Sequence, residues 1–246
     1  MEADSDAIRG GASSFANTNA SLPSMSVEGV SAMYGAMAVG YEEMVAGDWS
    51  GDPAVSGPNQ EVCGAILRAL DLTREVRGPV IDCGCGPGFA LAWLHGTGEV
   101  DLRGVDVSQE MVALTRTRCG PAADVRVGDM QRLDLCGCPD GAARVLLNMC
   151  CIQHYDRAGV QATLAAARRA LAPGGALLLQ FWSGREDGPM PGGGGPDEEG
   201  VFLQYSRPSV RDLAQAAGLA ILEESVGNYT FAPGEPPMEF TCLILR

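Results

Sequence analysis

Apolar and polar positions along this chain change their period several times, and each change marks an expected element. From Ser26 apolar residues recur at helical spacing, Met33, Met37, Met44 and Val45 alternating with Tyr34 and Tyr41. Gly47–Gly57 is a loop by its Gly, Asp and Pro content, and Asn59–Leu72 returns to helix with Val62, Ile66, Leu67 and Leu70 on one face. Short apolar runs then alternate with helices. Strands are expected at Pro79–Cys83, Val100–Val105, Asp124–Val127, Ala143–Met149 and Ala176–Phe181. Between them lie helices over Phe89–His95, from the cap Ser108 to about Arg118, and over Asp156–Leu171.

Gly184–Gly200 is too rich in Gly and Pro for regular structure and is expected to be a flexible insert. A helix over Ser209–Ala217 closes on Gly218, and strands over Ala220–Ser225 and Phe240–Leu245 share a Pro/Gly-rich turn. The alternation predicts an α/β domain: a Rossmann-like, doubly wound, seven-stranded sheet with right-handed crossovers and an antiparallel last strand. Residues 26–246 form that domain, with 26–75 as an N-terminal helical cap, and residues 1–25 are a disordered tail.

Charge narrows the partners. A formal net charge of −14 over 246 residues, with no basic cluster, excludes a nucleic-acid partner. No run approaches a membrane span, and Met1–Ser26 reads as neither secretory signal nor transit peptide, so a cytoplasmic location is expected. Nine cysteines are an odd number, several in strand-like runs, and read as reduced thiols. The pairs Cys83/Cys85, Cys136/Cys138 and Cys150/Cys151 lack the C-x₂₋₄-C spacing of zinc sites, so no metal is expected. The sequence fixes no oligomeric state.

The chemistry gathers at Val80-Ile81-Asp82-Cys83-Gly84-Cys85-Gly86-Pro87-Gly88: an apolar strand tipped by an acid, then glycines at alternate positions, then a helix. Glycines there permit positive φ and a close approach of ligand to backbone, and ligands of open α/β sheets bind at such strand ends. Asp106 ends the second strand about 20 residues after the glycines, where a carboxylate can accept from ribose hydroxyls. These two features also suit a nicotinamide-dependent oxidoreductase. Three details favour another ligand: G-x-G-x-G spacing with Pro87 inside, Asp82 placed to meet an ammonium, and Gly128-Asp129-Met130 after the third strand.

With these segments the chain resembles the class I S-adenosylmethionine-dependent methyltransferases over about residues 30–246. Asp82-x-Gly84-x-Gly86-x-Gly88, Asp106 and Gly128-Asp129-Met130 are similar to that family's first three motifs. Leu171-Ala-Pro-Gly-Gly-Ala-Leu177 resembles its run before the fifth strand, and Tyr34 to Glu42 its N-terminal Tyr-containing helix. The resemblance implies S-adenosyl-L-methionine as methyl donor and a small molecule as acceptor. It implies that Asp82, Gly84 and Gly86 hold the methionine end, Asp106 the ribose, and Val107 the adenine. Asp129 would accept the adenine amino group, Met130 would lie on the ring, and Asn148 would contact the amino-acid end. Cys83 and Cys85 depart from the residues usual around the first glycine, and both are small enough to be accommodated.

Other side chains have two readings. His154 stands where an acceptor would enter, as base or contact, or it orders the loop before Asp156. Tyr34, and less so Tyr41, bind cofactor or acceptor, or pack a helix. Trp49, Phe181, Trp182 and Tyr205 form a cage for a cationic amine or are pocket and core residues. A protein that binds the donor without turnover fits the same motifs.

Overall fold

The structure, a computed structural model, describes residues 22, 24–46, 49, 59–190, 202–230 and 236–246. Helices α1 (Val27–Ala46) and α2 (Asn59–Leu72) precede β1 (Val80–Cys83), α3 (Phe89–Gly96), β2 (Leu102–Asp106), α4 (Gln109–Cys119) and β3 (Ala123–Val127). There follow β4 (Ala143–Met149), α5 (Arg157–Ala170), β5 (Leu171–Gly184), β6 (Gly188–Pro189), β7 (Leu203–Ser206), α6 (Arg207–Ala216), β8 (Ile221–Tyr229) and β9 (Met238–Leu245). Short 3₁₀ turns at Met130–Cys136 and Ile152–His154 follow β3 and β4.

Strands β3, β2, β1, β4 and β5 lie side by side, all parallel. Strand β9 then pairs antiparallel with both β5 and β8, so it is inverted between parallel neighbours. From β1 the chain winds outward through β2 and β3, then jumps to β4 on the other side. The jump opens a crevice at the carboxyl ends of β1 and β4, the switch point of an open α/β sheet.

All seven expected strands pair in this sheet, and the described residues add two more, for nine in all. The two extra are β6 and β7, which pair with each other, β7 also extending β5 at Ser183 and Gly184. Thus the Gly184–Gly200 segment begins in ordered structure. Asp187 accepts hydrogen bonds from Ser206 N at 2.8 Å and Ser206 Oγ at 2.9 Å, anchoring β6 in spite of its Gly-Pro sequence. Residues 191–200 lie outside the described residues, as do 1–21 and, Trp49 excepted, 47–57.

Apolar side chains fill both faces. On one, Val160 and Leu164 of α5 and Leu213 of α6 cover Ile81, Leu146 and Leu179. On the other, Val62 and Ile66 of α2, Leu91 of α3 and Val112 of α4 cover Val80, Leu147 and Leu178. Helix α2 therefore packs on the sheet, and of the two N-terminal helices it is α1 that lies over the crevice. Caps appear where the composition placed them: Ser108 Oγ accepts from Met111 N at 3.2 Å and Asp156 Oδ1 from Gly159 N at 2.9 Å. The end of the expected tail is held, since Met25 N donates to His154 O at 3.0 Å and Asp156 N to Ser24 Oγ at 3.2 Å. No helix among the described residues is long and apolar enough to cross a membrane.

Candidate functional site

The glycine bend is built by backbone conformations that side chains resist. Gly84, Gly86 and Gly88 have φ of +80°, +50° and +84°. The first turn closes on β2, with Gly84 N and Cys85 N both donating to Val105 O, at 2.7 and 3.1 Å. A Cβ on Gly88 would stand 2.6 Å from Thr115 of α4, so only glycine lets that helix approach. Among the described residues a Cβ on Gly86 would meet nothing nearer than Tyr41 at 3.9 Å, because this glycine faces the space beneath α1.

That space is a cleft of about 550 Å³, its mouth included. Its floor is Gly84, Gly86, Asp106 and Val107; one side is Gly128 and Met130. The opposite side is Met149 to Cys151 with His154 and Tyr155, and α1 roofs it with Val30, Tyr34 and Tyr41. The roof is fastened by Ser31 Oγ, which donates to Val107 O at 2.9 Å, and by the Glu42–Arg118 ion pair. Arg118 Nε also donates to Pro87 O at 2.9 Å, tying α1 to the bend through one guanidinium.

Two carboxylates lie at this corner. Asp106 accepts from Gly86 N at 2.8 Å on one oxygen and from Ser108 N at 2.9 Å on the other. Burial raises its pKa, and those backbone donors oppose the rise. Asp82 is 1 % exposed, and its Oδ1 finds no hydrogen-bond partner among the described residues. Burial, and then the nearby Asp106 charge, push its carboxyl up to about 7. A buried carboxylate with an unsatisfied oxygen is costly unless a cation or donor completes it.

Across the cleft the Tyr34 hydroxyl and His154 Nε2 are 3.1 Å apart and hydrogen-bonded, their rings edge to face. His154 is 4 % exposed, with no partner at Nδ1 among the described residues, and burial lowers its pKa to about 4. Burial also raises the Tyr34 hydroxyl well above its usual value, so both groups are neutral at pH 7. The loop leading from β4 to His154 holds a strained residue, Cys150, with φ of +53°. Cys151 Sγ tucks under the bend, donating to Met149 O at 3.1 Å and Cys83 O at 3.4 Å.

Most of the residues expected from the motifs meet here: Tyr34, Gly84, Gly86, Asp106, Val107, Met130 and His154 line the cleft, with Asp82 buried beside Asp106. Asp129 is not among the lining residues and caps the following turn, accepting from Gln131 N at 2.8 Å. Asn148 is not among them either. Its amide Nδ2 donates to Met130 Sδ at 3.0 Å, and its side chain joins a small apolar cavity with Leu146 and Thr163. Strand alternation explains this, because Asn148 shares its face with Leu146, whereas Asp82 shares the opposite face with Val80 and Leu147.

The aromatic residues weighed as a cage are dispersed: Phe181 and Tyr205 are fully buried, Trp182 packs tilted against Tyr229 and edge to face with Phe240, and Trp49 lies 6.2 Å from Trp93. Sequence reasoning did not single out Val30, Tyr155 or Gly128 as separate cleft residues. Only the Asn148-to-Tyr155 run as a whole marked the rim.

Residues 80–175 match a family model described as a methyltransferase domain, a span running from β1 into the turn within β5. No curated protein matches the chain in sequence. Among solved structures, the [4+2]-cyclase SpnF superposes with a TM-score of 0.67 at 18% identity, covering 92% of this chain and 98% of its own. The 1,6-didemethyltoxoflavin-N1-methyltransferase of Burkholderia thailandensis, with bound S-adenosylhomocysteine, gives 0.64 at 15% identity, covering 91% of each chain. Magnesium protoporphyrin IX methyltransferase of Synechocystis PCC 6803, with bound SAM, gives 0.61 at 16% identity, covering 93% of this chain and 100% of its own. These likenesses agree on the fold. The family-model match belongs to residues 80–175, the span that carries Asp82, the glycine bend, Asp106 and Met130.

Proposed function

We propose that the protein transfers a methyl group from S-adenosylmethionine to a small molecule entering beneath α1. The observation that carries this reading is the unpartnered Asp82 carboxylate beside a positive-φ glycine bend whose Gly86 opens onto the cleft. An ammonium is the complement of that carboxylate, and the bend lets a ligand approach the backbone. Asp82, Gly84 and Gly86 would hold the methionine end, Asp106 the ribose, and Val107 with Met130 the faces of the adenine. Asp129 would accept the adenine amino group. Asn148 supports the ring by fixing Met130 and is not itself a contact. S-adenosylmethionine supplies a methyl already activated on a sulfonium.

The chain's task is to align the acceptor and exclude water. Tyr34 and His154, neutral and mutually bonded, would orient the acceptor against the donor side of the cleft. Residues 26–246 act as one methyltransferase domain in this reading, and nine free cysteines suit a reducing, cytoplasmic setting. A formal charge of −14 with no lysine disfavours a nucleic-acid acceptor.

Calorimetry with S-adenosylhomocysteine and with NAD tests the ligand. Heat with NAD alone returns the oxidoreductase reading. Because one superposable structure is a cyclase, turnover is tested separately, by label transfer from methyl-labelled donor into a metabolite extract. Donor binding with no label transferred points to the non-catalytic reading.

A further inference from the structure

The charge of the cleft specifies its acceptor more closely. All 17 basic residues of the chain are arginines, and none of those among the described residues lines the cleft. The stretches 47–58, 191–201 and 231–235 contain no basic residue either, which leaves Arg9 as the one cation outside the described residues. Arg118, the arginine that reaches the glycine bend, is engaged by Glu42 and Pro87 O. Among the described residues, the only charged side chain on the cleft wall is that of Asp106. A carboxylate or phosphate on the acceptor would therefore meet repulsion and no counter-ion.

Among the described residues the cleft is equally poor in free bases, since both oxygens of Asp106 already accept from Gly86 N and Ser108 N. Its imidazole is His154, buried to 4 % exposure, its Nε2 already joined to the Tyr34 hydroxyl. Burial pushes that imidazole down to about 4 and the neighbouring Cys151 thiol well up, so neither takes a proton readily from an alcohol or phenol. The walls suit a developing positive charge instead. The rings of Tyr34 and Tyr41 face the space with centroids 5.3 Å apart, and a carboxylate lies at the floor.

Resting on the reading above, we infer that the acceptor is an uncharged nitrogen nucleophile, an amine or a heteroaromatic ring nitrogen, and bears no anionic group near the reacting atom. Its lone pair forms the new N–C bond while the C–S bond breaks and returns its electron pair to sulfur. The positive charge passes from sulfur to nitrogen. A nitrogen that carries a hydrogen then releases it to water as a proton, so no base is needed before the transfer.

The full chain is incubated with methyl-labelled donor and a metabolite extract separated beforehand into anion-exchange-retained, neutral and cation-exchange-retained pools. Label is expected on nitrogen, in products from the neutral and cation-exchange pools. A like charge at close range in a partly buried cleft is worth about a hundredfold, so the anion-exchange pool should take up label at about one hundredth of that rate. Label appearing chiefly in the anion-exchange pool, or on oxygen of any product, overturns the inference. Calorimetry with S-adenosylhomocysteine on the same sample separates the two claims. Heat together with label on an anion defeats the acceptor class alone, whereas no heat defeats the cofactor reading beneath it.

Discussion

The Tyr34 hydroxyl and His154 Nε2, 120 positions apart in sequence, meet at 3.1 Å and join α1 to the loop that follows β4. The contact crosses the cleft, so it fixes the roof against the wall. Tyr34→Phe removes it and leaves a buried ring nitrogen unpaired, a loss of about 1–3 kcal/mol of stability in urea denaturation. Methyl transfer, measured as kcat/KM, should fall by about tenfold as the acceptor loses its guide. Unchanged stability and kcat/KM in this variant would remove the pair from the working site.

Asp82 and His154 give stability opposite dependences on pH. The carboxyl is raised from 3.8 to about 7, so the folded protein keeps a proton that the unfolded chain has lost; its contribution is present below about pH 4 and vanishes as pH rises through 7. The imidazole is lowered from 6.5 to about 4, so its contribution is present above about pH 6.5 and is lost as pH falls through 4. Over the shared window the two slopes cancel. Asp82→Asn uncovers them: relative to the unsubstituted chain it should gain about 1.4 kcal/mol of stability for each pH unit between about 4 and 7. Denaturation series of both proteins across that range provide the check, and a difference independent of pH refutes the assignment. The same variant should bind S-adenosylhomocysteine at least about tenfold more weakly, a trade of stability for function.

Proton release offers a direct view of the same carboxylate. If an ammonium completes Asp82, its pKa falls on binding and a proton departs. Calorimetric titration with S-adenosylhomocysteine at pH 6.5, in buffers of different ionisation enthalpy, should register this release in the unsubstituted chain. Asp82→Asn should register none. Equal release in both places the proton elsewhere.

These groups were legible to different degrees. The strand-acid-glycine segment and Asp106 are contiguous signals, because a parallel strand, its tight turn and its following helix are encoded in one stretch of chain. Asn148 was misplaced for a simple reason: alternation sends adjacent side chains to opposite faces, and its parity relative to Asp82 depends on the register Asp82↔Leu147 between β1 and β4. The Tyr34–His154 bond is a product of tertiary packing and leaves no local trace. Strand β6 was hidden by its Gly-Pro composition, since its order comes from the bonds Asp187 accepts at Ser206. Cys150 shows no sign in sequence of its left-handed backbone, which Gly or Asn would have announced.

Asp106 braces the bend as well as facing the cleft. Asp106→Asn keeps the shape but replaces one accepting oxygen by a donor, opposing either Gly86 N or Ser108 N. Affinity for S-adenosylhomocysteine should drop by about tenfold to a hundredfold, equivalent to about 1.4–3 kcal/mol. Asp106→Ala should lose at least as much affinity and some stability too, since two buried backbone donors then lack acceptors. Calorimetry and denaturation distinguish the two variants. Full affinity in both would mean that Asp106 holds only the loop.

The bend and the loop after β4 are coupled through Gly84 and Cys151. A Cβ on Gly84 would stand 2.3 Å from Cys151 Sγ, far inside contact distance, and its φ of +80° is costly for any residue with a side chain. Gly84→Ala therefore carries two penalties: about 1–2 kcal/mol for left-handed backbone and about 1–3 kcal/mol for overpacking. Only the second depends on the thiol. Cys151→Ala in the same chain should recover the overpacking share and leave the backbone share, giving a coupling of about 1–3 kcal/mol in a double-mutant cycle read by urea denaturation. Strict additivity would mean that the thiol turns aside without cost, and that steric fit at Cys151 does not set the shape of the bend.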